Sequence, residues 1–219
     1  MQTFSPADLD PGQRYKLMSG SIIPRPIGWI STVSADGATN LAPYSFFNGV
    51  SANPMCVQFC PANKSDGSPK DSLANALPED EGGTGEFVAN IVSEHLANQM
   101  AATAEPLAPG ESEFALAGLA EAPGEVVRVP RVADALVAFE CRTMQVIQLA
   151  QGQPGGGNLV LGEVIKIHVA DGLVNDRFHV DTDKLAAVGR IGGLTYARTM
   201  DRFDLPTGAA ALDATATSN

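Results

Sequence analysis

The chain has little cysteine: Cys56, Cys60 and Cys141 are the three in 219 residues. A low, odd count excludes a disulfide framework and fits a reducing cytoplasm. Cys56 and Cys60 stand four apart in an apolar run and read as small buried hydrophobes. No histidine or second Cys-x-x-Cys lies beside them, so no metal site is expected. No stretch approaches the about 18 consecutive apolar residues that a membrane-crossing helix needs. The first ten residues lack a basic start and an apolar core, so no secretory leader is expected. Positive charge is scarce too: 14 Lys plus Arg face 25 Asp plus Glu, a net charge of −11. That balance excludes a nucleic-acid surface, which must displace counterions with positive charge. It also excludes docking on anionic membranes. A bound anion stays within reach, because one lysine and a few backbone N–H groups suffice locally. Strand–GxGxxG–helix, GxxxxGK(S/T), HExxH and GxSxG are all absent, which removes the Rossmann, P-loop, zinc-protease and α/β-hydrolase readings.

What is present is a single-domain length with 44% hydrophobic residues, enough for a core without staples. The first twenty residues mix Asp, Pro and Gly and read as a lead-in lying over the body. Ile27 to Val33 is a strand candidate, followed by a turn at Ser34-Ala-Asp-Gly37, where Asp-Gly supplies the positive φ of a tight hairpin. Asn40 to Phe47 returns as a second strand, Asn53-Pro54 marks a corner, and Met55 to Cys60 is a third. Residues 61–70 are a polar loop, and 71–77 make one or two helical turns. Glu86 to Val92 is a fourth strand. Ser93 can N-cap a helix running to about Thr103. A helical turn is expected around Glu111 to Phe114. Leu136 to Leu149 and Asn158 to Ala170 are long alternating stretches, joined by a hairpin tip at 151–157. Strands dominate at regular spacing, which predicts a closed antiparallel barrel rather than βαβ units. One domain over 1–205 is expected, with 206–219 a loose tail.

The densest segment runs from Ser21 to Pro54. Its second strand ends in Ser45-Phe46-Phe47-Asn48, two aromatics beside small polar groups. Such a strand end can bind the polar edge and cover the face of a flat heterocycle, or it can be an ordinary hairpin with core aromatics. The segment contains Ile23-Pro24-Arg25-Pro26-Ile27-Gly28-Trp29-Ile30-Ser31-Thr32, then Asn40-Leu41-Ala42-Pro43-Tyr44-Ser45-Phe46-Phe47-Asn48, then Val50-Ser51-Ala52-Asn53-Pro54. Further along come Lys70-Asp71-Ser72, Glu86-Phe87-Val88-Ala89-Asn90, Pro130-Arg131-Val132, Glu140-Cys141-Arg142, Gly162-Glu163-Val164 and Gly189-Arg190-Ile191-Gly192-Gly193 with Tyr196. This ordered series, spanning roughly residues 15 to 205, resembles the flavin reductase-like, FMN-binding split-barrel family.

The resemblance implies a mainly β fold, a Greek-key antiparallel split β-barrel with a few short helices. It further implies a homodimer with FMN at or near the subunit interface. Ser45, Phe46 and Phe47 would line the isoalloxazine, with Trp29, Ser31 and Thr32 on the adjoining strand. Ser51, Lys70 and Ser72 would hold the phosphate, Lys70 as a point charge and the hydroxyls as donors. Lys64 is a rival phosphate ligand. Arg190 belongs to a flavin-side or substrate-side loop, or to a structural turn. The implied activity is an NAD(P)H:flavin oxidoreductase, with NADH or NADPH as donor and reduced flavin passed to an acceptor protein or a monooxygenase. The alternative is a non-catalytic FMN-binding electron carrier or flavin store. FAD is the alternative flavin, since the larger ligand could extend out of the same groove. Hydride transfer needs no protein acid or base, since the flavin supplies the hard chemistry. Outside this series, His95 reads as a surface residue and His168 as a sheet residue. Glu140 and Arg142 share a strand face and can pair.

Overall fold

Successive side chains of an extended segment point to opposite faces, so each strand can bury one face or, where both are covered, two. The computed structural model describes residues 1–108, 111–212, 214 and 217–218. Seven strands form one antiparallel sheet: β1 (Gly28–Val33), β2 (Thr39–Tyr44), β3 (Phe47–Ala52), β4 (Met55–Phe59), β5 (Glu86–Ile91), β6 (Val137–Gln148) and β7 (Asn158–Val169). Their order is β2-β1-β5-β6-β7-β4-β3. β2 and β3 are neighbours in sequence yet sit at opposite ends of that order. Even so, Ile30, Tyr44, Phe47, Phe59, Phe87, Cys141 and Val160, which together represent all seven strands, meet in one buried cluster. A sheet whose two ends share a core has curled on itself into a barrel split between β2 and β3.

β1 is buried along its whole length because both its faces are covered. Ile30 points into the barrel. Trp29 points outward into a second cluster with Leu41, Met100, Phe114 and Val188, under the short helices α3 (Ala97–Ala102) and α4 (Glu113–Leu116). Gly28 has a packing reason to be glycine. A Cβ there would stand 2.4 Å from the Phe47 ring, which crosses it from β3. A second, three-stranded sheet joins Arg25–Pro26, β8 (Val188–Arg190) and β9 (Tyr196–Arg198), and so brings the C-terminal Gly-rich motif back to the Pro-rich motif.

Most of the expected elements are present within a residue or two. Four differ. The lead-in contains a helix, α1 (Pro11–Ser21), with Pro11 in its first turn. Asp10 and Gln13 cap it reciprocally at 2.8 and 2.9 Å, a capping box. The strand expected over Asn40 to Phe47 breaks at Ser45 and Phe46, because the chain there leaves one end of the sheet to start the other. Ser93 precedes a 3-10 turn (Glu94–Leu96) and then α3, yet its hydroxyl caps nothing and is buried without a partner. In the segment read as a loose tail, Gly208–Leu212 forms a 3-10 helix and Thr217–Ser218 pairs with Phe203–Asp204; residues 213, 215, 216 and 219 lie outside the described residues.

Glu140 does not pair with Arg142. Its carboxylate, fully buried on β6, accepts the backbone N–H groups of Glu125, Val126 and Val127 at 2.7, 2.8 and 3.0 Å. It also meets His168 Nε2 at 2.5 Å. Burial pushes the carboxyl up, but the Glu125 N–H, His168 and the other two N–H groups outweigh it and hold the pKa below the usual carboxylate range. A depressed folded-state pKa contributes stability above the unfolded value of about 4.3, lost as pH falls through the folded value. Glu140→Gln should therefore lower unfolding stability near neutrality by about 1–3 kcal/mol and flatten the acid limb of stability against pH. Urea titrations over a pH series measure both; an acid limb unchanged in the variant would contradict this role.

Candidate functional site

The clefts of interest lie along β2 and the turn that ends it. The first, about 200 Å³, lies between β2, the start of helix α2 (Asp71–Ala76) and the segment 103–107. Asn40, Pro43, Lys64, Lys70, Ser72 and Glu113 are among its walls. The second, also about 200 Å³, is walled by Tyr15, Pro43, Ser45, Met100, Arg190 and Tyr196. They share Pro43 and Ala104. Each is smaller than the roughly 300 Å³ at which small-molecule sites begin, and joined across Pro43 they reach that range. A third cleft, about 390 Å³, has Arg25, Ser45, Phe46 and Phe47 on its walls. Ser45 thus borders two of the three.

α2 is placed firmly. Leu73 and Ala76 bury fully in the barrel core. Ser72 Oγ accepts from Asn40 Nδ2 and from Tyr44 Oη, both at 2.9 Å. Asn75 Nδ2 donates to Thr32 Oγ1 at 3.0 Å. Lys70 occupies the N-cap position and makes no cap. A lysine is a poor choice there, since N-caps favour Ser, Thr, Asp or Asn and the helix start disfavours cations. Its Nζ lies 6.0 Å from the Tyr44 ring centroid, and among the described residues no carboxylate pairs with it. Lys64, the rival, is committed to Asp71 at 2.9 Å. Burial pushes the Tyr44 phenol up to about 12, so it stays protonated. Glu113 accepts the Leu41 N–H at 3.1 Å, and burial raises its carboxyl.

At the other end, the Arg190 guanidinium lies 4.3 Å from the Tyr196 ring centroid and donates to the Gly193 carbonyl. It too has no carboxylate partner among the described residues. Ser45 Oγ accepts from Arg25 Nε at 3.2 Å. Phe46 is half-buried, with Tyr15 and Arg25 against its ring.

Lys70, Ser72, Ser45 and Arg190 are therefore brought to the joined clefts, and Phe46 and Phe47 to the third. Trp29, Ser31 and Thr32 are not at any of these surfaces. All three are fully buried and committed internally: Trp29 Nε1 donates to Thr103 Oγ1 at 2.8 Å, Ser31 Oγ to the Pro130 carbonyl at 2.6 Å, and Thr32 accepts from Asn75. They stiffen β1 behind the clefts. Ser51 is exposed on β3, accepts the Asn53 N–H at 3.1 Å, and lines none of these clefts. Asn40, Tyr44 and Glu113 line the first cleft and were not among the expected site residues. Asn40 and Tyr44 lie inside the motif that carried the resemblance, whereas nothing near Glu113 marks it. Among the described residues no helix is long and apolar enough to cross a membrane, and no group of His, Cys, Asp or Glu could hold a metal.

The profile of the flavin reductase like domain family matches residues 18–198. The chain belongs to this family, and its chemistry is that of a flavin-related oxidoreductase. It is 40% identical to an uncharacterised Deinococcus radiodurans protein over 88% of this chain and 83% of that one. Among solved structures, nitrilotriacetate monooxygenase component B from Bacillus cereus is similar at a TM-score of 0.86 and 34% identity, covering 94% of this chain and 98% of that one. The 2-nitrobenzoate 2-nitroreductase of Pseudomonas fluorescens follows at 0.83 and 28%, covering 95% and 97%. A split-barrel-domain protein from Shewanella frigidimarina, 21% identical at 0.79 over 95% and 100%, shares the fold.

Proposed function

We propose that the chain is an FMN-binding NAD(P)H:flavin oxidoreductase of the cytoplasm. The observation that carries this reading is Lys70, a cation without a carboxylate partner at one end of the joined clefts, set where helix capping disfavours it. Lys70 and the Ser72 hydroxyl hold the phosphate. Ser45 and Arg190 border the ring end, and Phe46 and Phe47 back the turn beside it. The donor set fits FMN: a point charge and hydroxyls at one end, aromatic and polar groups at the other, in a cleft of the right order of size. FAD would reach past the same groove. Bound flavin supplies the hydride chemistry, and these residues bind and orient it. Kinship with a protein named as a monooxygenase component supports delivery of reduced flavin to an oxygenase partner.

The chain acts as a homodimer in this reading. Among the described residues β3 pairs with β4 alone, and Asn48 to Ala52 are all exposed. An uncovered edge strand is a ready template for another chain. Exposed Val50 and Met144 add apolar surface there, for Met144 Sδ touches Cys56, which is registered opposite Ser51. In such a dimer Ser51 would meet the flavin across the interface. Light scattering should return about twice the 22.8 kDa chain mass; a monomer that still binds flavin stoichiometrically would reject the interface.

The activity is tested by visible absorption of the purified protein with FMN, before and after anaerobic NADH and then NADPH. Flavin should travel with the protein and bleach, and the nicotinamide that bleaches it is the donor. Bound flavin that stays yellow with both would convert the reading to an electron carrier or flavin store. Protein that takes up no flavin would end the flavin reading.

A further inference from the structure

Arg25 is the single buried Lys or Arg among the described residues, 4% exposed. Its Nη1 donates to the carbonyls of Ser19 and Ile22 at the end of α1, and its Nε to Ser45 Oγ. No carboxylate pairs with it among the described residues, and Nη2 has no hydrogen-bond partner there. The cleft it borders has no acidic residue and no second basic residue on its walls. A charge so placed is costly unless something compensates it. The carbonyls of a helix end supply about half an elementary charge at most, and Phe46, 5.8 Å from the guanidinium, adds a weak cation–π term.

The consequence falls on Ser45. Its hydroxyl has one hydrogen and two lone pairs. One lone pair already receives Arg25, and a guanidinium has none to offer in return. The Ser45 hydrogen donates to no protein group among the described residues, so it is left for the clefts.

We propose that Arg25 is a positioning residue: it makes Ser45 an obligatory hydrogen-bond donor toward bound flavin, and together they favour the reduced form. The proposal rests on the flavin reading above. Hydride brings two electrons and one proton to a neutral ring system, which gains one negative charge, while the nicotinamide leaves oxidised. A donor polarised by a cation behind it strengthens as the charge on its acceptor grows, and interactions that grow along the reaction are the ones that accelerate it.

The test is the two-electron midpoint potential of the FMN-loaded protein, for wild type, Arg25→Lys, Arg25→Met, Ser45→Ala and the Arg25→Met/Ser45→Ala double variant. Ser45→Ala and Arg25→Met should each lose about tenfold in preference for reduced over oxidised FMN, a potential more negative by about 30 mV. Arg25→Lys should stay closer to wild type. The double variant should fall short of the sum, since the two groups act through one another. A purely structural Arg25 would weaken oxidised and reduced FMN alike and leave the potential unmoved. An unmoved potential in Ser45→Ala overturns the proposal even where Arg25→Met does not fold. Wild type that binds no FMN fails earlier, and takes the flavin reading with it.

Discussion

The hydroxyl of Ser72 accepts from both Asn40 and Tyr44, and the candidate site depends on that junction. Both lone pairs of the oxygen are used, so the first turn of α2 is fixed against β2. The tie from Asn75 to Thr32 on β1 and the burial of Leu73 and Ala76 complete the attachment. Lys70 then has a fixed backbone and a free side chain at the mouth of the cleft. The junction does not titrate in the ordinary range, because burial keeps the Tyr44 phenol protonated to about 12.

Charge is distributed with the same economy. The chain carries −11 overall, and much of its positive charge is neutralised on the spot: Lys64 by Asp71, Lys166 by Glu125, Arg128 by Glu79 and Glu86, Arg198 by Glu94. Exposed pairs of this kind contribute little stability. Lys70, Arg190 and Arg25 are among the cations outside such pairs, and these three border the clefts along β2 and Ser45. In the proposed reading these cations would face a bound anion, a phosphate at one end and a ring that gains charge at the other.

The barrel was legible in the sequence because apolar or alternating runs of strand length are separated by turns that carry Asp-Gly and Gly-rich signals. α1 was not, since its outward residues include Tyr15, Leu17 and Met18 and it buries only Ser19; without an apolar stripe, its local marks were the Asp10–Gln13 capping box and Pro11 at the helix start. The break at Ser45 and Phe46 was hidden because a strand that changes ends of a curled sheet keeps its β-forming residues. The motif series names Lys70, Ser72, Ser45 and Arg190, and the fold places all four on cleft walls. Trp29, Ser31 and Thr32 stand in the same series but are buried on β1, whose two faces are both covered, and they line none of the clefts. Glu113 comes from a distant helix, and only the fold brings it to Leu41.

The central claim is that Lys70 marks the phosphate end of a flavin site. It is tested most directly by titrating FMN and riboflavin against wild type and Lys70→Ala, following bound flavin by fluorescence. Loss of a charge-assisted contact should weaken FMN by about 10- to 100-fold and leave riboflavin, which has no phosphate, essentially unchanged. Equal weakening of both ligands, or no change in either, would contradict the claim.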